Sequence, residues 1–213
     1  MKKYSFEKRG YKLLEGSCNY NHSFGGSSYI LPDCPICHSP LHQIVNLDMN
    51  DERLSKIATV EEITSIPLIS CLNCPMLWET QFFKLNLPKR SIQIFKQMQT
   101  DIWRDEEFEL PKPLPKTSLK LEALNKNDQV LTGEWTAFDD FETKYFCRLL
   151  DEMLIEDKSK TYKCIDCKQD MKFVSSITED ANPRSLISVT DFSLGEIIIN
   201  FHSVQNARSS EQI

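Results

Sequence analysis

Six of the eight cysteines fall in three C-x-x-C pairs, Cys34/Cys37, Cys71/Cys74 and Cys164/Cys167, while Cys18 and Cys147 stand alone. Two thiols at this spacing sit on one tight turn, where they can share a metal ion or pass between dithiol and disulfide. The first two pairs carry turn residues: Pro35 inside "CPIC", Asn73 inside "CLNCP" and Pro75 just after it. Such turns expose backbone amides toward sulfur. Zinc favours thiolate and imposes no directional preference of its own, so two knuckles on adjoining loops satisfy it with little strain. Cys34, Cys37, Cys71 and Cys74 therefore read as the ligands of a structural zinc, the one cofactor expected. A redox pair would open a helix after a strand, whereas Pro40 and the β-branched run of "HSPLHQIVNL" oppose a helix after Cys37. His38 and His42 are close enough in sequence to replace a thiolate, but with four cysteines at hand they read as surface residues or as supports of the ligands.

The third pair belongs to a repeat. Laying "CPICHSPLHQIVNLDMND" over "CIDCKQDMKFVSSITED" aligns Cys34 with Cys164 and Cys37 with Cys167, then Leu41 with Met171, Ile44 with Val174 and Leu47 with Ile177. Cys71 stands 34 positions after Cys37, and His202 stands 35 positions after Cys167. A second site would thus keep Cys164, Cys167 and His202 as tentative ligands and lose the fourth, with Gln205 where Cys74 stands in the first unit. Three ligands with an open position is also the arrangement of a catalytic zinc. No general base is placed to serve it, and no catalytic residue is assigned.

Strands must hold these loops. "PLISC", "MLWETQFFKLNL" and "EIIINFHSV" are rich in β-branched and aromatic residues, and Ile197, Ile199 and Phe201 share one face of their strand. "SLKLEALN" and "DQVLTGEWTAF" read as further strands. "FDDFETKYFCRLLDEMLIED" reads as an amphipathic helix capped near Asp139 or Asp140, with Phe141, Tyr145, Leu149 and Met153 at helical spacing and Cys147 as a small buried hydrophobe. "SIQIFKQMQTDIW" fits helix or strand equally. The expected architecture is mainly β (α+β): two pseudo-repeated antiparallel β units with a zinc knuckle, plus one or two helices. They form a single compact domain over 1–213, with a first unit over 1–108, a Pro-rich connector over 109–118 and a second unit with a degenerate knuckle over 119–213. The tail "NARSSEQI" reads as frayed.

Composition narrows the function. Lys plus Arg number 25 against 31 Asp plus Glu, a net charge of −6, which argues against a protein whose main task is neutralising phosphates. Around the knuckles Lys84, Lys89 and Arg90 are outnumbered by Asp48, Asp51, Glu52, Glu61 and Glu62, so a nucleic-acid-binding zinc ribbon is disfavoured. No stretch has the length of a signal peptide core or a membrane span, and clustered thiols suit a reducing compartment, so a soluble cytoplasmic protein is expected. No G-x-S-x-G, H-E-x-x-H or phosphate-binding Gly-rich loop supports an enzyme.

Gly25-Gly26, Cys34-Pro35-Ile36-Cys37, Leu47-Asp48 and Cys71-x-x-Cys74, followed in the second half by "YKCIDCKQDMKF" and "GEIIINFH", resemble the YwqG-like family, which is grouped with the programmed-cell-death-protein-2-like proteins. The chain departs from the pattern at His202, Gln205 and Ser27-Ser28. The resemblance implies a largely β architecture of two pseudo-repeats, zinc-supported in many members, with no common catalytic activity. It also implies protein-binding roles: dedicated chaperones among eukaryotic relatives, immunity proteins beside toxins among bacterial ones. The resulting expectation is a non-enzymatic zinc-binding protein that holds a protein client. The acidic balance suits a basic client, and "DIWRDEEFEL", with Trp103 and Phe108, is the best local acidic contact.

Overall fold

The computed structural model describes residues 4–5, 10–57, 63–72, 81–86, 88–97, 112–128, 130–131, 147–150, 162–177 and 197–201. Its centre is an eight-stranded antiparallel sheet. The strands that build it are β2 (Tyr11–Glu15), β3 (Ser23–Phe24), β4 (His42–Asp48), β5 (Ser65–Ser70), β8 (Thr117–Ala123), β10 (Cys147–Leu149), β11 (Lys172–Ile177) and β12 (Ile197–Phe201). They lie in the order β12-β11-β10-β2-β8-β3-β4-β5. A separate hairpin pairs β6 (Gln81–Asn86) with β7 (Ser91–Gln97), and a short ribbon pairs β1 (Tyr4–Ser5) with β9 (Val130–Leu131). The fold is mainly β: the helices among the described residues are single 3-10 turns, Glu52–Leu54 and Lys126–Asp128. None is long and apolar enough to cross a membrane.

The sequence explains which strands are covered. In β8 the pattern T-S-L-K-L-E-A buries Leu119 and Leu121 on one face and leaves Ser118, Lys120 and Glu122 on the other exposed or half-buried, a strand with one wet face. All seven residues of β4 and all six of β5 are buried, so both faces are covered there. Polar residues on such a strand need partners. Gln43 Nε2 donates to Gly25 O at 2.7 Å, Asn46 Oδ1 accepts from Ser28 Oγ at 3.0 Å, and Asp48 Oδ2 accepts the Asn21 amide at 2.8 Å.

The halves of the chain repeat each other bond for bond. In the first unit Cys34 N donates to Ser39 O, His38 N to Cys34 O and Leu41 N to Pro32 O; in the second, Cys164 N donates to Gln169 O, Lys168 N to Cys164 O and Met171 N to Tyr162 O. The left-handed residue of the knuckle is His38 (φ 57°) in one and Lys168 (φ 61°) in the other. The irregularity in the β4/β5 ladder lies between Gln43 and Val45, that in β11/β12 between Phe173 and Ser175, and the two are equally far from Cys34 and Cys164. Gly25 N donates to Ile44 O, and Leu150 N to Val174 O, both at 2.9 Å. The repeats are also exchanged. β8, from the second half, pairs with β3 of the first, and β2, from the first half, pairs with β10 of the second. Thr117 faces Phe24 as Tyr11 faces Leu149, and the β2–β8 pair in the middle joins the two sets.

The helix expected over "FDDFETKYFCRLLDEMLIED" is overturned where the structure describes it. Cys147–Leu149 is strand β10, paired on one side with Leu13, Lys12 and Tyr11 and on the other with Ile177, Ser176 and Ser175. Cys147 and Leu149 both face the main apolar core, and Leu150 then takes φ 55°, which no α-helix contains. Apolar residues close together satisfied a helical period as well as an alternating one, and pairing with two neighbouring strands decided the outcome. The rest of that segment lies outside the described residues, as do the tail and "DIWRDEEFEL". "SIQIFKQ" resolves as strand β7, and β8 begins at Thr117, inside the span assigned to the connector.

Gly25 shows how tightly the connector passes the sheet. Its φ is 62°, and an added Cβ would lie 2.8 Å from Leu114 O and closer still to Pro115 O. At Gly26, also at positive φ (75°), a Cβ would meet only flexible Lys116 carbons at 3.4 Å. Gly25→Ala should therefore destabilise by about 2–4 kcal/mol and Gly26→Ala by only about 1 kcal/mol, measured as the difference in urea midpoint at constant slope.

Candidate metal centre

Cys34 and Cys37 come from the turn that follows Pro32, and Cys71 from the residue after β5. The β4–β5 pairing sets His42 opposite Ser70, which carries Cys71 back over the first knuckle. The three sulfurs lie within 4.8 Å of one another, and all three residues are buried. Cys37 Sγ and Cys71 Sγ are 3.5 Å apart, far beyond the roughly 2.0 Å of a disulfide. Two sulfurs on one tetrahedral zinc, each at about 2.3 Å, would be about 3.8 Å apart. The group could hold a metal ion. Burial pushes the Cys37 thiol up, and the neighbouring Cys71 and Cys34 add to this, although the Ser39 amide opposes it. A cation would reverse that preference by replacing the protons.

A second apolar cluster surrounds the sulfurs, made of Tyr29, Leu41, Ile69 and Ile92, with Phe83, Leu85 and Ile94 packed against it. The β6–β7 hairpin thus lies over the centre. It is pinned to the strand entering the knuckle by Ile30 N donating to Arg90 O at 2.8 Å and Ile92 N donating to Ile30 O at 3.0 Å.

Of the residues singled out from sequence, the structure brings Cys34, Cys37 and Cys71 together. Cys74 and His202 lie outside the described residues. His38 is exposed at the left-handed position of the knuckle and gives only its amide to Cys34 O. His42 is not in the sulfur group but supports it: its buried Nδ1 accepts the amide of Leu72, next to Cys71, at 3.4 Å. Cys164 and Cys167 occupy the equivalent knuckle but are half-buried and exposed, respectively. The register places the end of β12 as it places the end of β5, since Lys172, the equivalent of His42, faces Phe201.

Sequence reasoning missed a buried charged cluster beside β4. Asp48 N donates to His22 Nδ1 at 3.0 Å, so the proton of a neutral His22 sits on Nε2 and is donated to Asp51 Oδ2 at 2.9 Å. Arg53 grips the same carboxylate through Nε at 2.8 Å and Nη2 at 2.6 Å, and donates Nη1 to Leu121 O at 3.0 Å. Burial lowers His22, overriding the opposing pull of Asp51. Asp51 is held low against its burial by Arg53 and His22, and Asp48 by the amides of Asn21 and Asn50. The cluster ties the β2–β3 loop to the turn after β4; His22 and Asp51 are closed off from solvent, while the Arg53 side chain is partly exposed. Residues spread from position 22 to position 53 leave no spacing signal by which to find it.

His42 makes the centre's acid sensitivity testable. Burial, with a smaller contribution from the charge of Lys112, lowers it from 6.5 to about 4. The unfolded chain therefore takes the proton first, and the stability due to a neutral His42 is complete above about pH 6.5 and lost as pH falls toward 4. The loss should reach up to about 3 kcal/mol, with His22 acting in the same direction. At saturating metal, His42→Asn, whose amide oxygen can still accept from Leu72, should flatten the fall in urea midpoint between pH 7 and 5. No protein-family model, curated protein or solved structure matches the chain, so the meaning of the centre rests on its own geometry.

Proposed function

We propose that the chain is a non-enzymatic protein-binding protein in which a structural zinc at Cys34, Cys37 and Cys71, with Cys74 as fourth ligand, stiffens a docking surface. Zinc is favoured by the donor set, since thiolates in a dry pocket select a soft cation with no need of an open position. One observation carries the binding role. Among the described residues the exposed large hydrophobics are Ile30, at 70% exposure, and Phe95, at 47%, and both sit on the unit packed over the sulfurs. Ile30 is hydrogen-bonded through its backbone to the β7 end that leads to Phe95. Apolar side chains held out to water on the hairpin and on the segment hydrogen-bonded to it form a pre-organised contact.

Charge describes the partner. The net charge of −6 speeds encounter with a basic protein. Locally the apolar pair is edged by exposed Lys84, Lys89 and Arg90, with Lys84 Nζ 6.0 Å from the centre of the Phe95 ring. A partner of net positive charge that presents an apolar face edged by carboxylates fits both scales. The resemblance to the YwqG-like family implies the same class of role.

Two measurements test this reading. Purified chain should carry one zinc at the first centre, and Cys71→Ser should weaken zinc binding by more than about 100-fold, beyond what loss of a supporting residue costs. Because the Cys37 thiol is held high without metal, binding should release protons and strengthen as pH rises. For the surface, the double variant Ile30→Asp and Phe95→Asp should keep zinc and urea midpoint while losing about 2 kcal/mol or more of affinity for the captured partner. A variant that binds as tightly as the parent would sink the docking role.

A further inference from the structure

The two knuckles share one backbone and differ in what reaches their sulfurs. Around Cys34 and Cys37 a third sulfur and a shell of apolar side chains close the pocket. Around Cys164 and Cys167 the described residues bring no third His, Cys, Asp or Glu ligand atom within 4.8 Å, and Cys167 is exposed. We propose that Cys164 and Cys167 form a redox-active dithiol that exchanges with small disulfides of the glutathione class, independently of the metal centre at Cys34, Cys37 and Cys71.

Three features of the loop carry this. Access is the first, since exchange needs an incoming disulfide to line up with the attacking sulfur, and this turn lies at the surface. Hydrogen-bond polarity is the second. The amides of Cys167 and Asp166 are directed at Cys164 Sγ, which also accepts from the Cys167 thiol, so three donors converge on the sulfur that would attack. Cys18 supplies the contrast within the same chain, because it is exposed yet uses its S–H to donate to Tyr20 O at 3.3 Å and Leu119 O at 3.5 Å. An arrangement of carbonyls offers a thiolate nothing. Reach is the third: Lys168 N donates to Cys164 O at 2.9 Å and closes the turn. One turn keeps Cα atoms three residues apart at about 5–6 Å, within the span of a disulfide.

The chemistry balances without a metal. Cys164 thiolate attacks one sulfur of R–S–S–R, the small S–S bond breaks, and one R–S⁻ leaves. Cys167 gives up its proton to solvent, its thiolate attacks Cys164 Sγ of the mixed disulfide, and the second R–S⁻ leaves. The protein loses two electrons and two protons while the small disulfide becomes two thiols, and excess thiol runs the steps backward.

The test uses the full chain with its metal, incubated near neutral pH in buffers of set reduced-to-oxidised glutathione ratio, quenched with acid, alkylated and mapped by peptide mass. Cys164 and Cys167 should oxidise as a unit while Cys34, Cys37 and Cys71 remain reduced and are recovered alkylated. Cys167→Ser should arrest at a glutathione adduct on Cys164 that forms at least about tenfold faster than the adduct on Cys18. Metal content should be the same in the parent, Cys164→Ser and Cys167→Ser, because neither residue belongs to the first centre. Equal rates at Cys164 and Cys18 would overturn the proposal. So would a pair that reacts only after a chelator has stripped it, or a loss of metal in either variant. Each of these outcomes leaves the protein-binding reading standing or falling on its own tests.

Discussion

Three sulfurs in a dry pocket pose an electrostatic problem on which the first edge of this fold depends. Ionised, they repel one another at close range with little solvent to screen them; protonated, they are three weak donors filling space where methyl groups would pack better. Cys34, Cys37 and Cys71 are placed so that they could hold a shared cation, and the surrounding elements supply that placement. A knuckle turn needs its αL residue, so His38 accepts a positive φ; the β4–β5 hairpin needs the register that delivers Cys71; and the β6–β7 hairpin needs the closed cluster as its floor.

The same loop at Cys164 shows how much of that logic belongs to the backbone alone. Its turn closes with equivalent hydrogen bonds, its αL position is filled by Lys168, and it leads into a hairpin with an irregularity at the matching place. What differs is enclosure: among the described residues no hydrophobic cluster includes Cys164 or Cys167, and the ion pair nearby, Lys84 Nζ to Asp166 Oδ2 at 3.2 Å, joins two exposed groups and contributes little to stability. One turn therefore presents cysteine sulfurs in two chemical settings. Buried among neighbours it collects sulfurs, and at the surface it offers them.

Legibility in the sequence followed the range of the interactions. The knuckles, their apolar followers and the hairpins β4–β5 and β11–β12 are local, and C-x-x-C spacing with aligned Leu41/Met171, Ile44/Val174 and Leu47/Ile177 was enough to see them. Convergence of Cys71 on Cys34 and Cys37 was legible because only a metal-ligand reading used both pairs. Three features depended on residues far apart in the chain and left no local trace. Strand β10 looked helical because its pairing partners, β2 and β11, are supplied from elsewhere. The exchange of β2 and β8 between the halves was invisible for the same reason. The His22–Asp51–Arg53 cluster was hidden because a single histidine and two common charged residues carry no spacing.

The exchange has a consequence for how the repeats hold together. If each half had kept its own strands, the two units would meet only through side chains, and each would end in an open edge beside the other. By pairing β8 with β3 and β2 with β10, the chain makes backbone hydrogen bonds the joint, and Leu13, Leu119 and Leu121 from both halves enter one core with Cys147 and Leu149. The sheet's outer strands are then β5 and β12, each paired with the strand that follows a knuckle in its own unit. The two knuckles thereby lie beside opposite ends of the strand order, where one is enclosed and the other exposed while the middle of the sheet is shared.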